Sequence, residues 1–168
     1  MRKSMRCQPI READRYGEEE RIIDESAARN ATLEWRFDKV PINRVDVQRV
    51  EVFFKLRLPA YYVDIVLAHH GARPRPHRFD TEAKLGHTVK TFLPVIRRCP
   101  SNVYDVYEWI RDRLPAGCVP FASDECGNYI CFEYKAGVQE PTVILWLHES
   151  GMCEPVADSY RDFLNRLY

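Results

Sequence analysis

The 168-residue sequence predicts an α+β (mixed α/β) fold: a single domain with a mostly antiparallel central sheet flanked by helices. Three observations predict it. Two apolar segments of helical period follow one another, broken by Leu58-Pro59. Short segments of strand character then succeed one another from 120 to 156 with only turns between them, the order of an antiparallel meander. The chain closes on Tyr160, Phe163, Leu164 and Leu167, spaced three, one and three apart as on a helix with one buried face.

Residues 1–32 carry charges of both signs and few large apolar residues, so they are read as a charged N-terminal arm. Ile22-Ile23 is the strong apolar pair there, and a short helix is read over 16–29. The core domain is placed at 33–168, with Trp35, Phe37 and Val40 as its first burying residues. Asn43 suits the N-cap of a helix running to about Leu56, whose inner face is Val47, Val50, Phe53 and Phe54. Leu58-Pro59 ends it, and Pro59 suits the first turn of a second helix through Tyr61, Tyr62, Ile65, Val66 and Leu67. Gly71 is read as its C-terminal cap. Pro74 and Pro76 keep 73–79 extended, and 88–95 has strand character. A helix is read over 102–114, with Val103, Val106, Tyr107 and Ile110 as its apolar stripe, Trp109 beside them and Pro115 as its stop.

The stretch 120–134 is the most specific part of the chain. Pro120 and Phe121 lead into a cluster of turn formers, Asp124, Glu125, Cys126, Gly127 and Asn128. Gly127 can take the positive φ that a tight reversal needs. Tyr129, Cys131 and Glu133 then alternate with Ile130, Phe132 and Tyr134, the period of a strand. The continuous apolar run 142–147 is a central strand buried on both faces, with His148 and Glu149 at its end, and 153–156 is a short strand.

Taken together, these segments resemble the SUKH superfamily, the Smi/Knr-type proteins. The resemblance covers about 35–168. It rests on Pro120, Phe121, Gly127, Asn128, His148 and Phe163 in the C-terminal half, and on Trp35, Glu51, Leu58-Pro59, Tyr62 and Gly71 in the N-terminal half. His70-Gly71-Ala72 departs from the Asn-Gly-Gly common in the family at that helix exit. The resemblance implies a SUKH-like domain and a bacterial immunity-type protein: a non-enzymatic binder that neutralises a cognate toxin, often a nuclease. Family members outside bacteria imply the alternative, a regulatory or scaffold protein without a toxin partner. A His-Glu pair at the strand end recurs in the family, and the resemblance brings no catalytic role with it.

Composition bounds the rest. Hydrophobic content of 45% and charged content of 30% are those of an ordinary globular domain. No apolar run is long enough to cross a bilayer, and the N-terminal basic residues have no apolar stretch behind them, which places the chain in the cytoplasm. In that compartment Cys7, Cys99, Cys118, Cys126, Cys131 and Cys153 are read as free thiols. Without a CxxC pair or an HExxH, and with His69 and His70 about 100° apart on a helix, no metal or other cofactor is expected. Arg73, Arg75 and Arg78 with Phe79 offer phosphate contacts and one stacking ring, but the net charge is zero and direct nucleic-acid binding is not expected.

Charge is nevertheless segregated along the chain. From residue 121 onward three basic residues stand against eight acidic ones, a net of −5. Such a surface steers a basic protein partner. The expected partner-binding residues are Asp124, Glu125, Glu149 and Glu154, with Tyr129 as an aromatic contact. His148-Glu149, with Cys126 or Ser123 in the preceding turn, keeps a third reading open, a His148-dependent hydrolase. No catalytic residue is assigned, because no nucleophile elbow occurs and neighbours on a strand face opposite ways.

Overall fold

The computed structural model describes residues 33–168. The arm at 1–32 and the helix read over 16–29 lie outside the described residues. The described chain forms one unit, Leu33–Tyr168, with an α+β architecture.

A five-stranded antiparallel sheet lies at its centre. Its strands β5 (Thr91–Phe92), β6 (Cys118–Ser123), β7 (Tyr129–Glu133), β8 (Thr142–Trp146) and β9 (Cys153–Ala157) stand side by side in chain order. From β6 to β9 each pairs with the next through a short connection, so the meander read from the turn signals is present, and β5 joins it from across residues 93–117. Two small antiparallel pairs flank it: β1 (Glu34–Arg36) with β2 (Arg73–Arg75), and β3 (Arg78–Phe79) with β4 (His87–Thr88). The single strand read over 88–95 is thus divided between β4 and β5.

Four helices are described: α1 (Arg44–Phe54), α2 (Ala60–Ala68), α3 (Val103–Ile110) and α4 (Tyr160–Asn165). Asn43 caps α1 in a capping box, its side chain accepting from the Val45 and Asp46 N–H groups while the Asp46 carboxylate accepts from the Asn43 N–H. The glutamate of the Glu51…Leu58-Pro59 unit has a physical role. Its carboxylate accepts from the Leu58 N–H at 3.0 Å and from Arg57 at 3.2 Å, fixing the turn that drops Pro59 at the head of α2. Helix α2 ends at Ala68, and Gly71 (φ +64) turns the chain three residues later rather than capping the helix itself.

Alternation sorts the sheet residues onto two faces. Phe132 and Ile130 of β7, and Val143 and Leu145 of β8, enter the main core with Val50, Tyr62, Val66, Tyr160 and Phe163 of the helices. A bulge in β6 between Pro120 and Ala122 puts Phe121 and Ala122 together into the same core, and Pro120 is tolerated there because a bulge needs no regular ladder donor. Phe121 stacks on Phe132 at 4.3 Å and meets Tyr62 and Tyr160 edge-on. Each such fully buried ring contributes about 1.5–3 kcal/mol relative to exposure. The other face carries Cys118, Cys131, Ile144 and Trp146 under Leu114.

Two of the expected burying residues are not buried. Phe37 is 76% exposed and Val40 also faces solvent, because the chain turns at Phe37 (φ 64) before α1 begins. Trp35 does pack inward, stacked on His69 at 5.1 Å and tilted against Phe92.

Candidate functional site

The β6–β7 turn and the end of β8 are locked together by one chain of side-chain hydrogen bonds. The turn closes with the Asp124 N–H donating to the Asn128 carbonyl at 3.0 Å. The Asp124 carboxylate then accepts from the Cys126 N–H (2.8 Å), the Asn128 N–H (2.7 Å) and the Asn128 side-chain amide (2.7 Å). That last bond fixes the amide orientation, so Asn128 Oδ1 faces the other way and accepts from both the backbone N–H (3.1 Å) and the ring Nδ1 (3.0 Å) of His148. Facing that acceptor oxygen, His148 Nδ1 is the donor. Gly127 (φ +88) lies under the ring, where an added Cβ would sit 3.6 Å from it.

A cleft of about 380 Å³ opens beside this lock. Lys84, His87, Cys126, Asn128, His148, Glu149 and Glu154 are among its walls. Glu154 accepts a 2.6 Å hydrogen bond from the Thr81 hydroxyl and stands 3.8 Å from the buried His87 Nε2. The His87 ring is stacked on Phe79. Thr81 also accepts from the Lys84 N–H, so the loop between β3 and β4 is pinned to β9 through Glu154. Glu149 is exposed, and the Arg113 guanidinium donates to the His148 carbonyl beside it.

The expected site residues therefore separate. Asn128, His148, Glu149 and Glu154 meet at one cleft. Asp124 is only 4% exposed and holds the turn from inside, a correction to its placement on an acidic surface. Glu125 is exposed but paired with Arg73 at 2.6 Å. Tyr129 is half-buried across the sheet from the fully buried Trp146, and burial raises its phenol above the usual range. Phe79, the ring counted as a stacking partner for a base, is fully buried.

Sequence reasoning missed Thr81, Lys84 and His87. Four histidines lie between 69 and 87, but only the pairing of β3 with β4 shows which one reaches Glu154. Among the described residues no group of three or more His, Cys, Asp and Glu side chains is placed to hold a metal ion. No helix among them is long and apolar enough to cross a membrane.

A search of curated proteins finds no match to the chain. A family model does match: that of the SMI1 / KNR4 family (SUKH-1), over residues 41–166. The match runs from the capping turn of α1 through α4, and so contains the Glu51–Leu58-Pro59 unit, the Asp124–Asn128–His148 lock and the cleft. The chain belongs to the SMI1 / KNR4 (SUKH-1) family.

Proposed function

We propose that the chain is a non-enzymatic immunity-type protein that binds and neutralises a cognate bacterial toxin in the cytoplasm, with the glutamate wall of the His148 cleft as its contact surface. Residues 33–168 form the binding domain in this reading, with 1–32 as an appendage. One observation supports a binding rather than a catalytic role. Polar groups of the cleft are committed to holding the fold: Asn128 to Asp124 and His148, and Glu154 to Thr81. In particular, a neutral amide stands between the Asp124 carboxylate and His148, so the carboxylate does not orient the ring directly as in a hydrolytic triad. Glu149 remains exposed in the cleft wall, and Glu125 is exposed in the β6–β7 turn. They offer charge to a basic partner such as a nuclease domain.

Calorimetry with the toxin domain encoded beside this chain's gene tests the reading at two salt concentrations. Nanomolar affinity that weakens with salt, and weakens about tenfold or more in Glu149→Arg, is the expected result. Absence of binding overturns it in favour of a regulatory Smi/Knr-type role. Tight binding that ignores charge reversal at Glu149 and Glu125 moves the contact surface elsewhere.

A further inference from the structure

A cleft of about 680 Å³ lies between α1 and the segment leading into α3, and it is basic. Arg49, Arg97 and Arg98 line it against a single carboxylate, Asp46. We propose that this cleft is a second binding face that takes an acidic peptide segment of a partner protein, with carboxylates on Arg97 and Arg98 and an apolar side chain against Val52 and Ile96.

The geometry of Arg97 carries the argument. Its guanidinium lies over the Tyr104 ring, 4.1 Å from the centroid, and 5.5 Å from that of Phe53. Phe53 itself meets Tyr104 edge-on at 5.0 Å, so the two rings form a fixed floor. A guanidinium stacked by its face keeps its N–H edge for a ligand, held ready for the two oxygens of a carboxylate. Arg97 and Arg98 are exposed and form no ion pair with a carboxylate among the described residues. Asp46 does not neutralise them, because it is spent on Arg49 at 3.2 Å and on the Asn43 N–H. Val52, 76% exposed, and Ile96 add apolar wall. A nucleic acid fits this arrangement less well, since the rings on which a base would stack are already covered by Arg97.

Fluorescence anisotropy tests the proposal, with a fluorescein-labelled pentapeptide in which two glutamates flank one phenylalanine on each side. The expected result is saturable binding at low salt, weakened about tenfold or more by Arg97→Glu with Arg98→Glu, and unchanged by Arg111→Glu, an exposed charge at the end of α3. Arg98→Gln alone, which disturbs no ring contact, is expected to weaken binding several-fold and serves if the double variant does not fold. No saturation at millimolar peptide, equal binding of the glutamine analogue, or an equal effect of Arg111→Glu overturns the proposal. So does a thymidine oligonucleotide that displaces the peptide at lower concentration than the unlabelled peptide does.

Discussion

Replacing Asp124 with alanine separates its two readings, turn anchor and partner contact. The carboxylate holds three donors at 2.7–2.8 Å. Cys126 is exposed, so its N–H passes to water when the acceptor is lost. Asn128 is buried, and its backbone N–H and side-chain amide both lose their partners. An unpaired buried donor costs about 1–3 kcal/mol, so the pair gives about 2–6 kcal/mol, with about 3 kcal/mol as the working value. For a chain of this size that lowers Tm by about 10 °C. Asp124→Asn keeps one oxygen for the two backbone N–H groups but sets an NH2 against the NH2 of Asn128, and is expected to cost about 1–2 kcal/mol. Urea unfolding with the m-value monitored is the assay. The expected order of stability is wild type, Asp124→Asn, Asp124→Ala, at constant m. A loss below about 1 kcal/mol in Asp124→Ala refutes the anchor.

Other perturbations test the remaining framework. Gly117→Ala is expected to cost about 2–4 kcal/mol in urea unfolding, because φ is +81 and the new Cβ would sit 2.6 Å from the Tyr134 carbonyl oxygen; Gly127→Ala, with the same left-handed backbone but only ordinary contact to His148, is expected to cost about 1–2 kcal/mol. Burial holds the His70 imidazole below its usual 6.5, aided by Lys39 and Arg98 and opposed by the Val40 carbonyl and Asp46. The unfolded chain then takes up the proton first, so stability is full above about pH 6.5 and falls as pH drops toward the lower folded value; His70→Gln is expected to flatten that part of the urea-midpoint profile. Burial pushes the Cys118 thiol up to about 12 and raises Cys131 as well, so mass mapping after brief alkylation of the native protein should find Cys126 labelled and both of these protected until denaturant is added. Glu51→Ala should cost about 1–3 kcal/mol, since it strips the Leu58 N–H of its acceptor, and Glu51→Gln should cost less.

What the sequence revealed follows from the range of the interactions involved. Helix α1 was legible because its cap is local, Asn43 bonding residues two and three positions on. The β6–β7 turn was legible for the same reason, since Asp124, Gly127 and Asn128 close it among themselves. Phe37 was misplaced because an isolated aromatic next to an arm carries no period, and its left-handed backbone has no signature in a phenylalanine. The burial of Asp124 was not legible because turn formers and surface carboxylates are the same residue types, and the three donors that hold its carboxylate converge only in the folded turn. His87, Thr81 and Glu154 were illegible as a group, because residues separated by as many as 73 positions meet only through the pairing of β3 with β4 and the placing of β9.

Charge shows the same difference between line and space, and it decides how binding is to be assigned. Along the chain, 73–98 is a basic block and 121–168 an acidic one. In space the blocks do not survive as faces. Arg73 is neutralised by Glu125 from the acidic half, whereas Arg97 and Arg98 join Arg49 from α1 in a cleft of their own. Glu149 faces a different cleft, with Lys84 in its wall. Salt screens both kinds of contact alike, so a salt-sensitive complex is compatible with either cleft and assigns neither. Only the sign of a substitution discriminates. A basic partner on the His148 cleft is lost on Glu149→Arg and indifferent to Arg98→Glu, and an acidic segment on the arginine cleft responds in the opposite order. If one partner is lost in both variants, it spans both clefts, and the two faces act as one interface.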